Sequence, residues 1–165
     1  MHRRRFLTVG DEEDFRYFLP RILEISATDA SWWPDPEIVA RSLAEARWRE
    51  WPAEQREAVA RVWDERFTEL VEAADRSELD SWLCGLARAG LDLDSFLARL
   101  SLRPPAVLAL YGWHANEIVE HRLANGFWED AAQGRQEVID WFHSPEISRL
   151  ILDNYGVDLN VPRFV

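Results

Sequence analysis

Two histidines and a glutamate recur at helical spacing near residue 115. His114, Glu117 and His121 are three and four residues apart, so on a helix they lie along one stripe, one turn from each other. Two imidazoles and a carboxylate are a common ligand set for zinc or non-haem iron. The spacing therefore raises the hypothesis of a divalent metal site, which would belong to a metal-dependent enzyme if another helix supplied further ligands.

A solvated helix face is the simpler interpretation of the same stripe. The spacing matches no established metal motif, such as two histidines four residues apart with a glutamate between them. The core face predicted for this helix consists of Leu108, Tyr111, Ala115, Ile118 and Val119, and the stripe lies at or beyond its border. We therefore expect a surface pair between Glu117 and His121, with the metal site as the alternative.

Other side chains that could do chemistry lack an obvious partner. Cys84 stands alone among apolar residues, which is typical of an inert core thiol. His143 precedes Ser144-Pro145 at a predicted helix end, where an imidazole suits the negative end of the helix dipole. Acidic pairs such as Asp11 with Asp14, Asp92 with Asp94 and Glu129 with Asp130 arise by chance among thirty acids. The chain has no glycine-rich phosphate loop and no nucleophile elbow, so the sequence predicts no bound cofactor.

Trp32-Trp33-Pro34 is a possible interaction anchor. Two adjacent indoles cannot both face one helix core, and an exposed tryptophan contributes large contact area at protein interfaces. The alternative is that Trp32 and Trp33 both pack under the loop between the first two helices.

The charge of the chain narrows the class of partner. Its 165 residues carry thirty acids against nineteen basic residues, all of them arginine, for a formal net charge of −11. Such a surface repels phosphate backbones and anionic membranes, which disfavours nucleic-acid binding and membrane binding. It suits a basic protein partner. Hydrophobic residues make up 47% of the chain, enough to build a core.

The beginning of the chain imitates an export signal. Arg3-Arg4-Arg5-Phe6-Leu7 matches the core of a twin-arginine signal, but four acids follow at positions 11–14 where an apolar stretch is required. The longest apolar run, residues 104–110, is far shorter than a bilayer span. With a single cysteine, nothing indicates an oxidising compartment. We therefore expect a cytoplasmic protein.

Apolar periodicity and capping residues predict an all-α protein. The expected helices are 11–27, 36–49, 52–75, 78–89, 93–101, 105–124, 128–142 and 145–155. Short connections favour one compact bundle of about seven to eight helices, with a short α-solenoid of helical hairpins as the alternative. We expect a single domain over 1–165, with an extended or mobile segment at 1–10 and an extended tail at 157–165.

Two motifs in the first third of the chain carry a resemblance. The segment 14–24 and Trp48-Arg49-Glu50-Trp51-Pro52 together resemble a group of uncharacterised bacterial helical proteins. The resemblance implies that Phe18, Leu19, Trp48 and Trp51 belong to one structural unit. It transfers no activity and no site.

These observations favour a small acidic protein-interaction module over an enzyme. One version is an immunity- or antitoxin-like inhibitor, because negative charge steers binding to a basic toxin. The alternative is the metal-dependent enzyme using His114, Glu117 and His121. A structural subunit of a larger assembly is a third possibility, and the sequence leaves the oligomeric state open.

Overall fold

Eight α-helices make up most of the part of the chain that the structure describes. The structure, a computed structural model, describes residues 11–28 and 35–161 and has no strand within them. The helices are α1 (Glu12–Thr28), α2 (Pro36–Glu45), α3 (Ala53–Ala73), α4 (Arg76–Arg88), α5 (Asp94–Ser101), α6 (Pro104–His114), α7 (Ala132–Phe142) and α8 (Pro145–Tyr155). Three short 3₁₀ turns join them at Trp48–Glu50, Ile118–Glu120 and Gly126–Asp130. The prediction of an all-α fold is confirmed.

The helix ends follow local chemistry. Proline occupies the first helical position of α2 and of α8, where its missing N–H costs nothing. The backbone N–H of Glu78 donates to the Asp75 side chain at 3.1 Å, so Asp75 rather than Ser77 caps α4. Gly156 ends α8 with φ +68°, a left-handed conformation that glycine adopts without strain.

The long helix predicted for residues 105–124 is wrong. α6 ends at His114, and His121 takes a left-handed φ of 54° after the 3₁₀ turn. The chain folds back because the backbone N–H of Ala124 donates to Nδ1 of His114 at 3.0 Å. In one straight helix, ten residues would separate these positions by about 15 Å. The helix predicted for 36–49 likewise ends early, at Glu45.

α4 is the central helix of the bundle. It packs against α2, α3, α6 and α7, and its buried residues, Leu79, Asp80 and the run Trp82–Leu86, lie around its whole circumference. A solenoid repeat contacts only its neighbours in sequence, so the solenoid alternative does not describe this arrangement. Cys84 lies within α4 and is fully buried, as expected for a core thiol. Burial raises its pKa, which keeps the thiol protonated and unreactive.

The chain after α8 packs partly onto the bundle. Leu159 is buried, and Nδ2 of Asn160 donates to Oγ of Ser148 at 3.1 Å. The segment expected to be an extended tail is therefore non-helical but attached over residues 157–161, while 162–165 and 1–10 lie outside the described residues. Among the described helices, none has both the length and the apolarity needed to cross a bilayer.

Gly85 permits the close approach of α3 to α4. A Cβ built on Gly85 would lie 2.6 Å from Cζ3 and 2.7 Å from Cη2 of Trp63, whose ring is fully buried against Trp82. Gly112 on α6 has open space by comparison, with Oη of Tyr155 at 3.8 Å from its Cβ position.

We expect Gly85→Ala to lower the free energy of unfolding by about 1–3 kcal/mol, because an added methyl group in a packed core forces its neighbours apart. Gly112→Ala is the matched control. It should raise stability by about 0.5–1 kcal/mol, because alanine restricts the unfolded chain in a helix position that has room for it. Urea unfolding of both variants measures the difference, and equal effects would contradict the packing of Trp63 onto α4.

Candidate functional site

An apolar groove separates α1 from the first turns of α3. Its α1 side is formed by Arg16, Leu19, Pro20 and Leu23, and its other side by Trp51, Gln55, Ala58, Val59 and Val62. On each helix the members follow steps of three and four residues, so each contributes one face. The volume is about 250 Å³, below the roughly 300–1,000 Å³ of small-molecule sites. The groove therefore suits one or two side chains of another protein better than a cofactor.

Arg16 lies at one end of the groove and contacts two residues on its opposite side, Gln55 and Trp51. Its Nη2 donates to Oε1 of Gln55 at 2.6 Å, and its guanidinium carbon lies 4.7 Å from the centroid of the Trp51 ring. Nε1 of Trp51 in turn donates to the carbonyl of Ala46 at 3.1 Å. The indole at this end of the groove is thus held on both its face and its edge.

An exposed aromatic residue and two acids border the α1 side. Tyr17 and Glu24 are the helical neighbours of Pro20 at three and four residues, and Glu13 lies one turn before Tyr17. Tyr17 is 77% exposed, so its ring is accessible to another molecule. Glu24 is paired with Arg21 at 2.7 Å, whereas Glu13 makes no ion pair within the described residues.

The α3 side of the groove has a similar border. Glu54 and Arg61 are the helical neighbours of Ala58, and Glu65 follows one turn after Arg61. All four residues are exposed, and neither Glu54 nor Glu65 forms an ion pair in the part of the chain that the structure describes. The apolar floor is therefore flanked by more negative than positive charge.

A second depression, between α3 and α5, is a weaker candidate. It has a volume of about 190 Å³ and includes Phe67, Val71 and the 78% exposed Leu102. Nη2 of Arg103 meets Oε1 of Glu72 at 2.5 Å at its edge, and the neighbouring Arg99 pairs with Asp64 at 2.9 Å. Its charged groups are thus already paired within the chain, so they offer a partner little unsatisfied charge.

The most distinctive polar chemistry lies inside the bundle. Asp80 and His114 are 1% and 0% exposed. Oδ1 of Asp80 accepts a hydrogen bond from Nε1 of Trp128 at 2.9 Å and lies 2.9 Å from Nε2 of His114. The ring N–H of His114 is not aimed along that line, so the contact is electrostatic rather than a well-formed hydrogen bond.

The tautomer of His114 follows from its other nitrogen. Because Nδ1 accepts the N–H of Ala124, it carries no proton, and the proton of the neutral imidazole lies on Nε2, the nitrogen 2.9 Å from Oδ1 of Asp80. Asp80 and His114 together resemble part of a catalytic dyad. Both are sealed from solvent, however, so the pair has no route to a substrate and acts as a structural link between α4 and α6.

Glu37 is a second carboxyl group in this region. It is 2% exposed, and its Oε1 accepts a hydrogen bond from Nδ2 of Asn125 at 2.8 Å. Burial raises the pKa of Glu37 and the charge of nearby Asp80 adds to the rise, while hydrogen bonds from the backbone, Asn125 and Ser81 oppose it. Its Oε2 has no hydrogen-bond partner among the described residues.

The structure does not assemble the predicted metal site from His114, Glu117 and His121. His114 is in the core, where a solvated face was expected, Glu117 lies in the turn after α6, and His121 is exposed. No group of three or more histidine, cysteine or acidic side chains in the described part of the chain is placed to hold a metal ion. The described residues show no ion pair between Glu117 and His121, and His121 packs on His143.

The acidic pairs serve as caps and ion pairs. Oδ1 of Asp11 accepts the N–H of Asp14 at 3.1 Å, and Oδ1 of Asp92 accepts the N–H of Asp94 at 3.1 Å. Asp130 meets Nη2 of Arg88 at 2.9 Å. These contacts are structural. Trp32 and Trp33, the predicted interaction anchor, lie outside the described residues.

Sequence reasoning missed Asp80, Glu37 and Asn125. A signal for Asp80 was present, because the residues three, four and seven positions after it are Leu83, Cys84 and Ala87, an apolar stripe that places the carboxylate on a buried face. Glu37 gave no such signal, since an acid in the first helical turn is ordinary.

Comparisons with known proteins assign no family to this chain. It gives no match to protein-family models, to curated proteins or to solved structures.

We expect Glu37→Gln to be more stable than the wild type at pH 8, with the two nearly equal below the ordinary glutamate pKa of 4.5. A raised pKa in the folded chain contributes stability that is present at low pH and is lost as pH rises through that pKa. Each unit of elevation corresponds to about 1.4 kcal/mol. Urea unfolding between pH 4.5 and pH 8 measures the free energy of unfolding of both proteins. Glu54→Gln, on the surface, controls for loss of one charge, and a constant difference between Glu37→Gln and wild type across the range would contradict the assignment.

Proposed function

We propose that this chain is a protein-binding module that uses the groove between α1 and α3 to hold an apolar segment of a basic partner. The single observation that carries the proposal is an apolar groove between two helices with the exposed Tyr17 beside it. The charged residues in and around it, outside the Arg21–Glu24 pair, are three acids, Glu13, Glu54 and Glu65, against two arginines, Arg16 and Arg61. The occupant is a peptide segment or helix with one or two large apolar side chains and arginine or lysine beside them.

The size and composition of the groove support a peptide occupant. Leu19, Leu23 and Val59 lie at its floor with 3–5% exposure, so the atoms that remain accessible there are apolar. Pro20 and Ala58 are exposed and Val62 is half-buried along the groove, and covering their apolar area gives about 25 cal/mol per Å². Tyr17 lies beside the groove, and tyrosine is enriched among the residues that dominate interface energetics.

Charge supports the basic character of the partner. The net charge of −11 creates a field that attracts positively charged surfaces and speeds their association. Glu13, Glu54 and Glu65 sit at the borders without ion pairs in the described part of the chain, so they are free to meet arginine or lysine. Binding through these rim charges should weaken with added salt.

The test is a peptide-display selection against the full-length chain. We expect the selected peptides to combine large apolar residues with arginine or lysine, and to bind with an affinity that falls as salt is raised. Ala58→Arg places a long cationic side chain in the groove from an exposed position, and it should weaken binding by about tenfold or more, equivalent to about 1.4 kcal/mol.

Ala98→Arg is the matched control, because Ala98 is also exposed within a helix but lies away from the groove, on α5. Fluorescence anisotropy with a labelled peptide gives the dissociation constant for each variant. Peptides that are acidic, or that bind Ala58→Arg and Ala98→Arg equally well, would overturn the proposal.

A further inference from the structure

His121 and His143 are brought together from distant parts of the chain. Their ring centroids are 4.3 Å apart and the rings meet edge to face, with an interplanar angle of 82°. His121 follows the 3₁₀ turn after α6, and His143 is the residue that ends α7. The pair therefore connects two corners of the bundle.

The nitrogens of His143 are unsatisfied. Nδ1 and Nε2 are both shielded from solvent, and neither has a hydrogen-bond partner within the described residues. A shielded polar atom without a partner costs free energy, so in a native protein it calls for an explanation such as an ion or an ordered water. Two such atoms on one imidazole, beside a second imidazole, point to a ligand shared by the two rings.

From this geometry we propose that His121 and His143 form a two-histidine site for a divalent transition-metal ion, with water in the remaining coordination positions. Imidazole nitrogen is a preferred ligand of zinc, nickel and copper, and it binds zinc at about 2.0–2.1 Å. Rings already in contact need only a small rotation to place one nitrogen of each on a common ion. His121 is exposed, so its ring is free to make that rotation.

An acidic residue of α7, Asp140, lies one turn before His143. A metal ligand must be an unprotonated imidazole, so metal binding competes with protonation of the two rings. Asp140 adds a nearby negative charge. The side chain of Asp140 is held by Nε2 of Gln136, which donates to its Oδ1 at 2.8 Å.

The site differs from the metal hypothesis based on the stripe at 114–121. His121 is common to both, but His114 is committed to Asp80 and Ala124 in the core. With only two protein ligands the site is open, unlike the four-coordinate sites that hold structural zinc. It is independent of the proposed peptide groove, whose lining includes neither histidine.

The test is calorimetric titration of the full-length chain, purified without a histidine tag, with zinc chloride and separately with nickel chloride at pH 7.5. We expect one saturable site per chain. His121→Asn removes one imidazole while keeping a residue that tolerates the left-handed backbone there, and His143→Gln removes the other. Each should weaken binding by at least the roughly 10–100-fold that altered outer-shell partners cause at metal sites.

His2→Ala is the control for the loss of one histidine, and it should bind as the wild type does if His121 and His143 form the site. Lowering the pH to 5.5 should also weaken binding, because protons compete for the imidazoles. The proposal is overturned if no saturable binding is seen at millimolar metal, if His121→Asn binds as tightly as the wild type, or if His2→Ala abolishes binding. His121 is on the surface, so its variant remains informative if His143→Gln does not fold.

Discussion

Asp80 lies on α4, the central helix of the bundle. Its buried carboxylate needs hydrogen-bond or charged partners, and this need constrains the positions of several other elements. A buried carboxylate without partners is one of the most costly groups in a protein interior. Its partners here are the indole of Trp128 and the imidazole of His114. α6 must therefore end where His114 reaches α4, and the turn at 126–130 must deliver Trp128 to the same oxygen. α4 can be central only because these two elements converge on it.

The turn that follows α6 connects the Asp80 network to α2. Nδ1 of His114 fixes the backbone at Ala124, and the next residue, Asn125, reaches Glu37 on α2. Oδ1 of Asn125 also accepts the N–H of Phe127 at 2.9 Å, which starts the turn that carries Trp128. α2, α4 and α6 are thus tied by a polar network whose members are mostly buried. Removing one member of such a network leaves the others unpaired, which costs more than the single contact.

Much of the helical framework could be predicted from the sequence, because it depends on local signals. The helices expected to begin at residues 36 and 145 do begin there, each with proline at its first position, and the apolar spacing of Val59, Trp63 and Phe67 marks the buried face of α3. The largest failure has a clear cause. Residues 105–124 have helical periodicity, but a long-range bond from Ala124 to His114 breaks the helix. Periodicity reports which residues are apolar, and it does not report where a buried polar atom will find its partner.

The candidate sites were harder to predict than the fold for the same reason. Contact between His121 and His143 depends on the turn after α6, which the periodicity did not reveal. The groove depends on the position of α1 relative to α3. In the sequence, each of these segments has only the pattern of an ordinary amphipathic helix, which does not reveal that the two helices together form a groove. Trp51 and Leu19 line one groove, although Phe18 is 55% exposed.

The buried polar network and the apolar groove differ in how accessible they are to another molecule. The buried network around Asp80 has acid and base groups at catalytic distances, yet a reacting group must reach its substrate. His114 has no accessible surface, so opening the dyad to a substrate would expose the core around α4. The groove between α1 and α3, in contrast, can be reached without opening the core. α1 packs chiefly on α2 and contributes no residue to the Asp80 network, so a partner can displace solvent from the groove without disturbing that network. An event at the groove therefore leaves the interior network intact, whereas access to Asp80 and His114 requires the packing around α4 to open.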